Sequence, residues 1–325
     1  MKITICGAGA WGTALANLLI EGGNAVTMWG HDPAQLDTMR REGSNECFLP
    51  GIRLAPGLIL ESDFARAGRD ADLLVMAVAS RFFRSVAARL PDYRGLVVSV
   101  TKGVEDATGL TMSGILGETM PHAIAVALSG PSLAPEVARH IPTAVVAAHP
   151  DSAASRQVQQ LFSRPSFRVY TSDDVIGVEL GGALKNVVAI AAGVGDGLGF
   201  GDNAKAALIT RAIVEIRRLG VACGAKADTF NGLSGLGDLT VTCFSKLSRN
   251  RTFGERLGRG EKAGEVLAAS VSVVEGYPTA LSAHHLAHKL GVQTPIQAEV
   301  HAMLYEGKDV RQAVQDLMNR DLKAE

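Results

Sequence analysis

The sequence predicts an α/β fold in which an N-terminal, doubly wound and mainly parallel sheet is followed by an all-helical C-terminal region. Over the first half of the 325 residues, short apolar runs alternate with helical stretches. Several of these runs are continuously apolar, which is typical of strands covered by helices on both faces. After residue 172 the strand signals stop and helical patterns take over. We therefore expect two domains, at residues 1–172 and 173–325.

The elements follow from apolar periodicity and from capping residues. The predicted strands occupy residues 3–6, 26–29, 73–78, 96–100, 124–128, 143–147 and 167–170. The pattern leaves open whether the last two or three of them run antiparallel to the others. Predicted helices include one that begins after the polar run 171–174 and is broken by the glycines between 193 and 201, and others at 202–220, 279–290, 296–305 and 310–318.

A glycine motif joins the first predicted strand to the first predicted helix. Gly7, Gly9 and Gly12 form a GxGxxG pattern between the strand at 3–6 and a helix at 13–20. In this context Gly7 permits a tight turn, Gly9 lets the backbone approach a pyrophosphate, and Gly12 lets the helix pack closely on the strand. The free N–H groups at the start of the helix then face the phosphates. The motif predicts a Rossmann-type dinucleotide site.

The residues after the second strand bear on the choice of dinucleotide. Asp32 lies about 20 residues beyond the last motif glycine, where an acidic residue binds the ribose hydroxyl of NAD. Its charge would repel the 2′-phosphate of NADP, whereas the preceding His31 could donate a hydrogen bond to that phosphate. The sequence therefore leaves the choice between NAD and NADP open.

Composition narrows the class of protein and its surroundings. The formal net charge is −1 and 47% of the residues are hydrophobic, so neither nucleic-acid binding nor disorder is expected. The four cysteines are scattered without metal-ligand spacing, which is typical of thiols in a reducing cytosol, and we expect no metal site. The most apolar later run, 187–194, is too short to cross a bilayer, so we expect a cytoplasmic protein with no integral membrane segment.

Lys185 is the most unusual residue of the helical half. It follows Gly181 and Gly182 by about one helical turn and precedes Asn186. Small residues around one lysine indicate close approach by another helix or by a ligand, and because glycine weakens helices we favour a functional lysine. A partly buried lysine that reaches solvent is the alternative.

Three further polar features could belong to a ligand site, and the first of them could bind an anion. Ser248, Arg249 and Asn250 combine a hydroxyl, a planar fork of donors and an amide, although from the residues alone a solvated turn is the preferred interpretation. Asp238 lies between glycine-rich turns and could simply cap a helix. The third group follows predicted strands, where ligands of open α/β sheets bind, and consists of Lys102, Gly130 and Ser132.

Together these motifs resemble the family of prokaryotic-type NAD(P)-dependent glycerol-3-phosphate dehydrogenases, in the family's order and through nearly the whole chain. The central segment and the SRNR segment are highly specific to that family, whereas the glycine motif alone is not. The matching segments are GAGAWG (7–12), TKG (101–103), SGPS (129–132), GVELGGALKN (177–186), GLSGLGD (232–238), SRNR (248–251) and VEG (274–276).

The resemblance implies reversible reduction of dihydroxyacetone phosphate to sn-glycerol 3-phosphate, the precursor of glycerophospholipids. It implies a catalytic set with Lys185 as general acid/base, accompanied by Lys102, Asn186, Asp238 and Thr242. The implied substrate contacts are Lys102, Gly130, Ser132, Lys185, Asp238, Ser248, Arg249 and Asn250. With the motif glycines and Asp32, the expected NAD(P) contacts are Gly7, Gly9, Ala10, Trp11, Gly12, His31, Asp32, Lys102, Ala134, Arg249, Val273 and Glu275.

Two other functions are compatible with parts of the sequence. A related two-domain hydroxyacid or ketoacid reductase would share the fold, and a non-catalytic NAD(P)-sensing regulator would share the dinucleotide site. The regulator would have no need for Lys185, Lys102 and Arg249 together, which weighs against it. The resemblance also implies a homodimer formed through the helical half.

Overall fold

The structure is a computed structural model that describes residues 1–321 and divides into two compact units. The first unit comprises residues 1–102 and 110–179, and the second comprises residues 103–109 and 180–325. The short excursion at 103–109 lies within the predicted N-terminal domain but groups with the helical unit.

The first unit is built on an eight-stranded sheet in the order β10-β9-β8-β7-β6-β1-β2-β5, with a separate β3–β4 hairpin. Its strands are β1 Lys2–Cys6, β2 Ala25–Trp29, β3 Ser44–Asn45, β4 Leu49–Arg53, β5 Ile59–Glu61, β6 Leu73–Met76, β7 Leu96–Ser99, β8 Ile124–Ser129, β9 Thr143–Ala148 and β10 Phe167–Ser172. The seven predicted strands are present, and the predicted fold class is confirmed.

Strand direction changes once in this sheet. The strands from β8 to β5 are parallel to one another, β9 is antiparallel to β8, and β10 is parallel to β9. The last two strands therefore run against the rest, which answers the question that the apolar pattern left open.

Helices cover both faces of the sheet. Ile3, Ile5 and Val75 belong to one buried cluster, and Cys6 and Leu74 belong to another. Because neighbouring residues of one strand enter different cores, the strands read as continuous apolar runs. The helices of this unit are α1 Ala10–Glu21, α2 Pro33–Glu42, α3 Phe64–Gly68, α4 Ser80–Ala87, α5 Met112–Thr119, α6 Ala134–Val137 and α7 Ser152–Phe162.

The strands β3, β4 and β5 were not predicted. They have 2, 5 and 3 residues. The segment LPGIR of β4 contains proline and glycine, which normally indicate a turn, so its apolar residues give no strand signal.

Beyond α8, which begins at the end of the first unit, the described chain is helical. The helices are α8 Val175–Gly197, α9 Asp202–Ala222, α10 Asp238–Phe244, α11 Arg249–Gly258, α12 Ala263–Ala268, α13 Gly276–Leu290, α14 Pro295–Tyr305 and α15 Val310–Met318. A 3₁₀ turn at Ala227–Asn231 and a π-helical turn at Leu233–Gly237 lie between α9 and α10.

Helix α8 ends within the predicted glycine series 193–201, at Gly197, but it continues through Gly193. An added Cβ on Gly193 would lie 1.9 Å from the carbonyl oxygen of Arg251, and one on Gly197 would lie 2.2 Å from that of Glu255. These glycines therefore allow close contact with α11, and Gly193 lies inside α8 rather than at its end. By length and composition α8 could cross a membrane, but 83% of its most apolar window is buried inside the protein, as in a core helix.

Candidate active site

The turn between β1 and α1 depends on glycine at Gly7. Its φ of 128° favours glycine, and a Cβ there would lie 2.6 Å from the carbonyl oxygen of Ala77. The Gly7 N–H donates to the carbonyl oxygen of Trp29 over 2.9 Å, which joins the turn to the end of β2.

The other two motif glycines have different surroundings. A Cβ on Gly9 would have no heavy atom within 4 Å, whereas one on Gly12 would lie 2.1 Å from the Gly7 carbonyl oxygen. Gly9 is the N-cap of α1, and no side chain accepts from the first N–H groups of that helix. Open space next to these donors fits a dinucleotide pyrophosphate.

Three side chains that the sequence assigns to the coenzyme pack around this turn. Ala10, Trp11 and Ala134 are half-buried against the core of the first unit. The Trp11 ring centroid lies 6.4 Å from that of Phe167. This packing holds the start of α1 and the start of α6 in place.

His31 and Asp32 follow the carboxyl end of β2, and both are exposed. The Asp32 carboxylate accepts a hydrogen bond of 2.9 Å from the Ala34 N–H and caps α2. Asp32 thus has a structural role in addition to the predicted ribose contact.

Lys102, Gly130 and Ser132 come together in the first unit. Lys102 Nζ donates to the Gly130 carbonyl oxygen over 3.0 Å, and Ser132 Oγ donates to the same oxygen over 2.9 Å. Gly130 has a φ of 140°, and a Cβ there would lie 2.9 Å from Val145 Cα, so glycine is required. Two polar side chains thereby converge at the carboxyl ends of β7 and β8.

In the helical unit, Lys185 is buried with two polar partners. Its Nζ donates to the Asp238 carboxylate and, over 2.7 Å, to Thr242 Oγ1. Asp238 begins α10 directly after the π-helical turn and is fully buried. It pairs with Lys185, so it is more than the simple helix cap that the sequence also allowed. Burial raises the pKa of the adjacent Cys243 thiol to about 12, so this thiol stays protonated.

A second network joins three helices through amide groups. Asn186, next to Lys185 on α8, accepts at Oδ1 from Asn250 Nδ2 over 2.9 Å. Asn250 Oδ1 in turn accepts from the Gly276 N–H at the start of α13 over 2.8 Å. A Cβ on Gly276 would lie 2.5 Å from the Asn186 carbonyl oxygen, so glycine permits this contact.

The beginning of α11 carries the predicted anion clamp. Ser248 Oγ accepts from the Arg251 N–H over 3.2 Å and caps the helix, which leaves its own proton available to donate. The Arg249 side chain keeps contact with solvent. Crowding by protein atoms lowers the pKa of its guanidinium, the nearby Glu275 opposes that shift, and the group remains charged.

Val273 and Glu275 are half-buried directly before α13. Their position places the expected coenzyme contacts beside the Arg249 end of α11. In the helical unit, the structure thus shows two adjacent networks, one with Lys185, Asp238 and Thr242 and one with Asn186 and Asn250. Lys102, Gly130 and Ser132 form a third group in the sheet unit.

Arg251 and Asp196 form a buried ion pair that the sequence does not predict. Arg251 could have been identified as a candidate because it is the last residue of the SRNR motif. Asp196 gave no signal, because it lies among the glycines that end α8.

As chemistry, the Lys185 cluster holds an ammonium group that can donate a proton, with a carboxylate that stabilises its charged form. Among residues 1–321, no three His, Cys, Asp or Glu side chains are grouped so that they could hold a metal ion.

Comparison with known proteins identifies relatives along the whole chain. Family models described as the N-terminus and the C-terminus of NAD-dependent glycerol-3-phosphate dehydrogenase match residues 2–155 and 174–315. The glycerol-3-phosphate dehydrogenases [NAD(P)+] of Geobacter sulfurreducens and Geobacter metallireducens are each 50% identical over 330 residues, which cover 100% of this chain and 98% of each relative.

A solved structure gives the same result. The crystal structure of glycerol-3-phosphate dehydrogenase from Coxiella burnetii superimposes with a TM-score of 0.95 at 38% identity, over 98% of this chain and 99% of that chain. The glycine turn, the buried lysine cluster and these similarities agree, and the chain belongs to the NAD-dependent glycerol-3-phosphate dehydrogenase family.

Proposed function

We propose that this chain reduces dihydroxyacetone phosphate to sn-glycerol 3-phosphate with Lys185 as the proton donor. Membership of the family makes the chain an oxidoreductase with glycerol-3-phosphate dehydrogenase activity and NAD(P) as coenzyme, and its product is a precursor of glycerophospholipids. The burial of Lys185 with Asp238 and Thr242 is the observation that supports its role.

The reaction adds a hydride and a proton across the C2 carbonyl group of the substrate. The hydride to C2 would come from a reduced NAD(P) coenzyme bound to the protein. Lys185 transfers a proton from Nζ to the carbonyl oxygen and takes one back in the reverse reaction. Asp238 and Thr242 hold Nζ through two of its three N–H donors, which restricts where the proton is delivered.

Binding of the phosphate is assigned to the start of α11. Arg249 offers a planar fork of donors that suits a phosphate, and Ser248 and Asn250 add a hydroxyl and an amide. Lys102, Gly130 and Ser132 are the proposed substrate contacts of the sheet unit. Since the phosphate is remote from C2, its binding energy can position the reacting carbon.

The coenzyme is assigned to the turn after β1. The N–H groups at the start of α1 would bind the pyrophosphate, next to the open side of Gly9. Asp32 would contact the adenine ribose. Its charge favours NADH, and we expect NADH to be used at least as well as NADPH.

A homodimer and a cytoplasmic location complete the proposal. Exposed apolar side chains on the helical unit, including Phe200, Phe244 and Leu247, support association through this half. Sedimentation of the purified chain over a range of concentrations would measure its oligomeric state.

The substrate assignment is tested with Arg249→Ala. The loss of a charge-assisted pair with the phosphate should raise the KM for dihydroxyacetone phosphate by about 10- to 150-fold, equivalent to about 1.5–3 kcal/mol. Reduction of unphosphorylated dihydroxyacetone should change far less, since that molecule has no group for the clamp. Arg249→Lys should restore binding only in part, because an ammonium group lacks the bidentate fork.

Coenzyme affinity is measured separately, since Arg249 is also an expected coenzyme contact. Equal losses for the phosphorylated and the unphosphorylated substrate would exclude Arg249 as the phosphate ligand. Reduction of ketopantoate in preference to dihydroxyacetone phosphate would instead favour a ketoacid reductase.

A further inference from the structure

We propose that Arg251 is a positioning residue that fixes the phosphate clamp relative to Lys185. This inference rests on the proposed role of Arg249 as a phosphate ligand. Arg249 and Arg251 are two residues apart on α11, so their side chains leave the helix on different faces. The Arg249 side chain is exposed, whereas the Arg251 side chain is only 8% exposed.

Arg251 connects α11 with the distal part of α8. Its Nε donates to Asp196 Oδ2 over 2.7 Å, and its Nη2 lies 2.6 Å from the same oxygen. Its Nη1 donates to Glu255 Oε2, one turn along α11, over 2.7 Å. The planar guanidinium thus binds two carboxylates in fixed directions.

Asp196 is also held from a third helix. Lys205 on α9 places its Nζ 2.7 Å from the other carboxylate oxygen, Oδ1, and both side chains are largely buried at 12% and 13% exposure. The Asp196 carboxylate is therefore held by cations from two other helices, α9 and α11. An ion pair with this burial and geometry is a more rigid connection than a solvent-exposed pair.

The backbones of α8 and α11 approach closely at two glycines, next to shared apolar packing and the Asn186–Asn250 hydrogen bond. Gly193 faces the carbonyl oxygen of Arg251, and Gly254 of α11 faces that of Ile190, with hypothetical Cβ distances of 1.9 and 2.0 Å. At these two glycines no side chain separates the backbones, so contacts elsewhere must fix the position of one helix along the other. The Arg251–Asp196 pair supplies a charged restraint at the distal end of α8, in addition to the Asn186–Asn250 hydrogen bond.

The restrained helices carry the two proposed functional groups. Helix α8 carries Lys185, about 16 Å from Asp196 at 1.5 Å per residue. Helix α11 carries Arg249 in the turn that also contains Arg251. A shift of α11 along α8 would change the distance between the phosphate ligand and the proton donor, and a displacement of 1 Å can cost about 100-fold in rate.

The experiment compares Arg251→Lys with Arg256→Lys as a matched control. Both variants keep the charge of an α11 arginine, but Arg256 pairs with Glu261 at the surface, with 33% of its side chain exposed. We expect Arg251→Lys to raise the KM for dihydroxyacetone phosphate roughly 10-fold, through the lost fork geometry, and to leave dihydroxyacetone reduction and NADH affinity within about twofold. Arg256→Lys should leave all three unchanged.

Asp196→Asn provides a second, milder variant should Arg251→Lys fail to fold, because the amide retains an oxygen acceptor. It should reproduce the selective loss for the phosphorylated substrate, and the double variant should lose no more than the larger single loss. Unchanged KM for dihydroxyacetone phosphate in a folded Asp196→Asn protein, or equal losses for both substrates, would overturn the positioning role. If Arg249→Ala reduces activity equally on dihydroxyacetone phosphate and dihydroxyacetone, the proposed role of Arg249 as phosphate ligand is itself rejected.

Discussion

The glycine turn of the sheet unit and the lysine cluster of the helical unit differ in the groups they present: backbone groups in the first, a side chain in the second. Between β1 and α1, backbone N–H groups and open space form the proposed coenzyme site, and the missing side chains of Gly7, Gly9 and Gly12 make it possible. At Lys185 the proposed reactive group is a side chain, held by Asp238 and Thr242, which are 53 and 57 residues away along the chain.

This difference teaches how substitutions should act. A backbone site is damaged by adding atoms, whereas a side-chain site is damaged by removing them. The two sites also lie in separate compact units, each with its own core. We therefore expect variants of one site to leave the function of the other largely intact.

The largest effect is expected for Lys185→Met. The substitution removes the proton donor while filling a similar volume, and general acid/base catalysis typically contributes about 100- to 10,000-fold to the rate. The turnover number for dihydroxyacetone phosphate should therefore decrease by about 100- to 10,000-fold. NADH affinity, measured by fluorescence titration, should stay nearly unchanged. A variant with more than a tenth of the original turnover would exclude Lys185 as the acid, and a loss of NADH binding would show that the two sites are coupled.

Local sequence accounts well for the sheet unit. The strand, turn and helix around Gly7 and Gly12 lie within a few residues of one another, so spacing alone predicts both the structure and the ligand. The short strands β3 to β5 are not predicted by local sequence. Pro50 and Gly51 in β4 are typical of a turn, and β3 and β5 have only 2 and 3 residues. The reversed direction of β9 and β10 depends on tertiary structure, and the apolar pattern of a strand does not indicate its direction in the sheet.

The helical unit shows what local patterns leave out. The glycines between 193 and 201 predict where α8 ends, but not that Gly193 and Gly197 allow α11 to approach α8. Lys185 is conspicuous among small residues, but its partners Asp238 and Thr242 were assigned only through resemblance to a family. The ion pair between Arg251 and Asp196 depends on how two helices pack, and no spacing in the sequence predicts it.

Within the turn, Gly12 and Gly9 have different roles: Gly12 permits close packing, whereas Gly9 faces open space. In Gly12→Ala the new methyl group would lie 2.1 Å from the Gly7 carbonyl oxygen, so the backbone must shift. We expect a loss of about 1–3 kcal/mol in the free energy of unfolding, as for other overpacked sites. Gly9→Ala adds its methyl group where no atom lies within 4 Å, and its φ of −84° suits alanine. Stability should then change by less than about 0.5 kcal/mol.

The two variants are distinguished by denaturant unfolding without coenzyme and by NADH titration. Gly9→Ala should weaken NADH binding while remaining stable, because its methyl group occupies the side from which the pyrophosphate approaches. If Gly9→Ala lost as much stability as Gly12→Ala, the open space at Gly9 would not be a ligand-binding feature.

The smallest effect is expected at Asp32, where a side chain contributes to an otherwise backbone-built site. Asp32 caps α2 through the Ala34 N–H and also places a negative charge beside the expected position of the adenine ribose. Asp32→Ser keeps a capping oxygen but removes the charge, whereas Asp32→Ala removes both. Two like charges about 4 Å apart in water repel each other by about 1 kcal/mol. Removing the Asp32 charge should therefore increase the affinity for NADPH, with its 2′-phosphate, roughly fivefold.

The wild-type chain should use NADH at least as well as NADPH, as judged by kcat/KM for each coenzyme. Both variants should shift this ratio toward NADPH, and only Asp32→Ala should also lose about 1 kcal/mol of stability with its cap. The charge and the cap thereby become separable, because the two variants differ in stability but share the change in coenzyme preference. A strong wild-type preference for NADPH, or a shift confined to Asp32→Ala, would show that Asp32 is only a helix cap. The ribose end of the site would then depend on His31 or on the backbone, as the pyrophosphate end does.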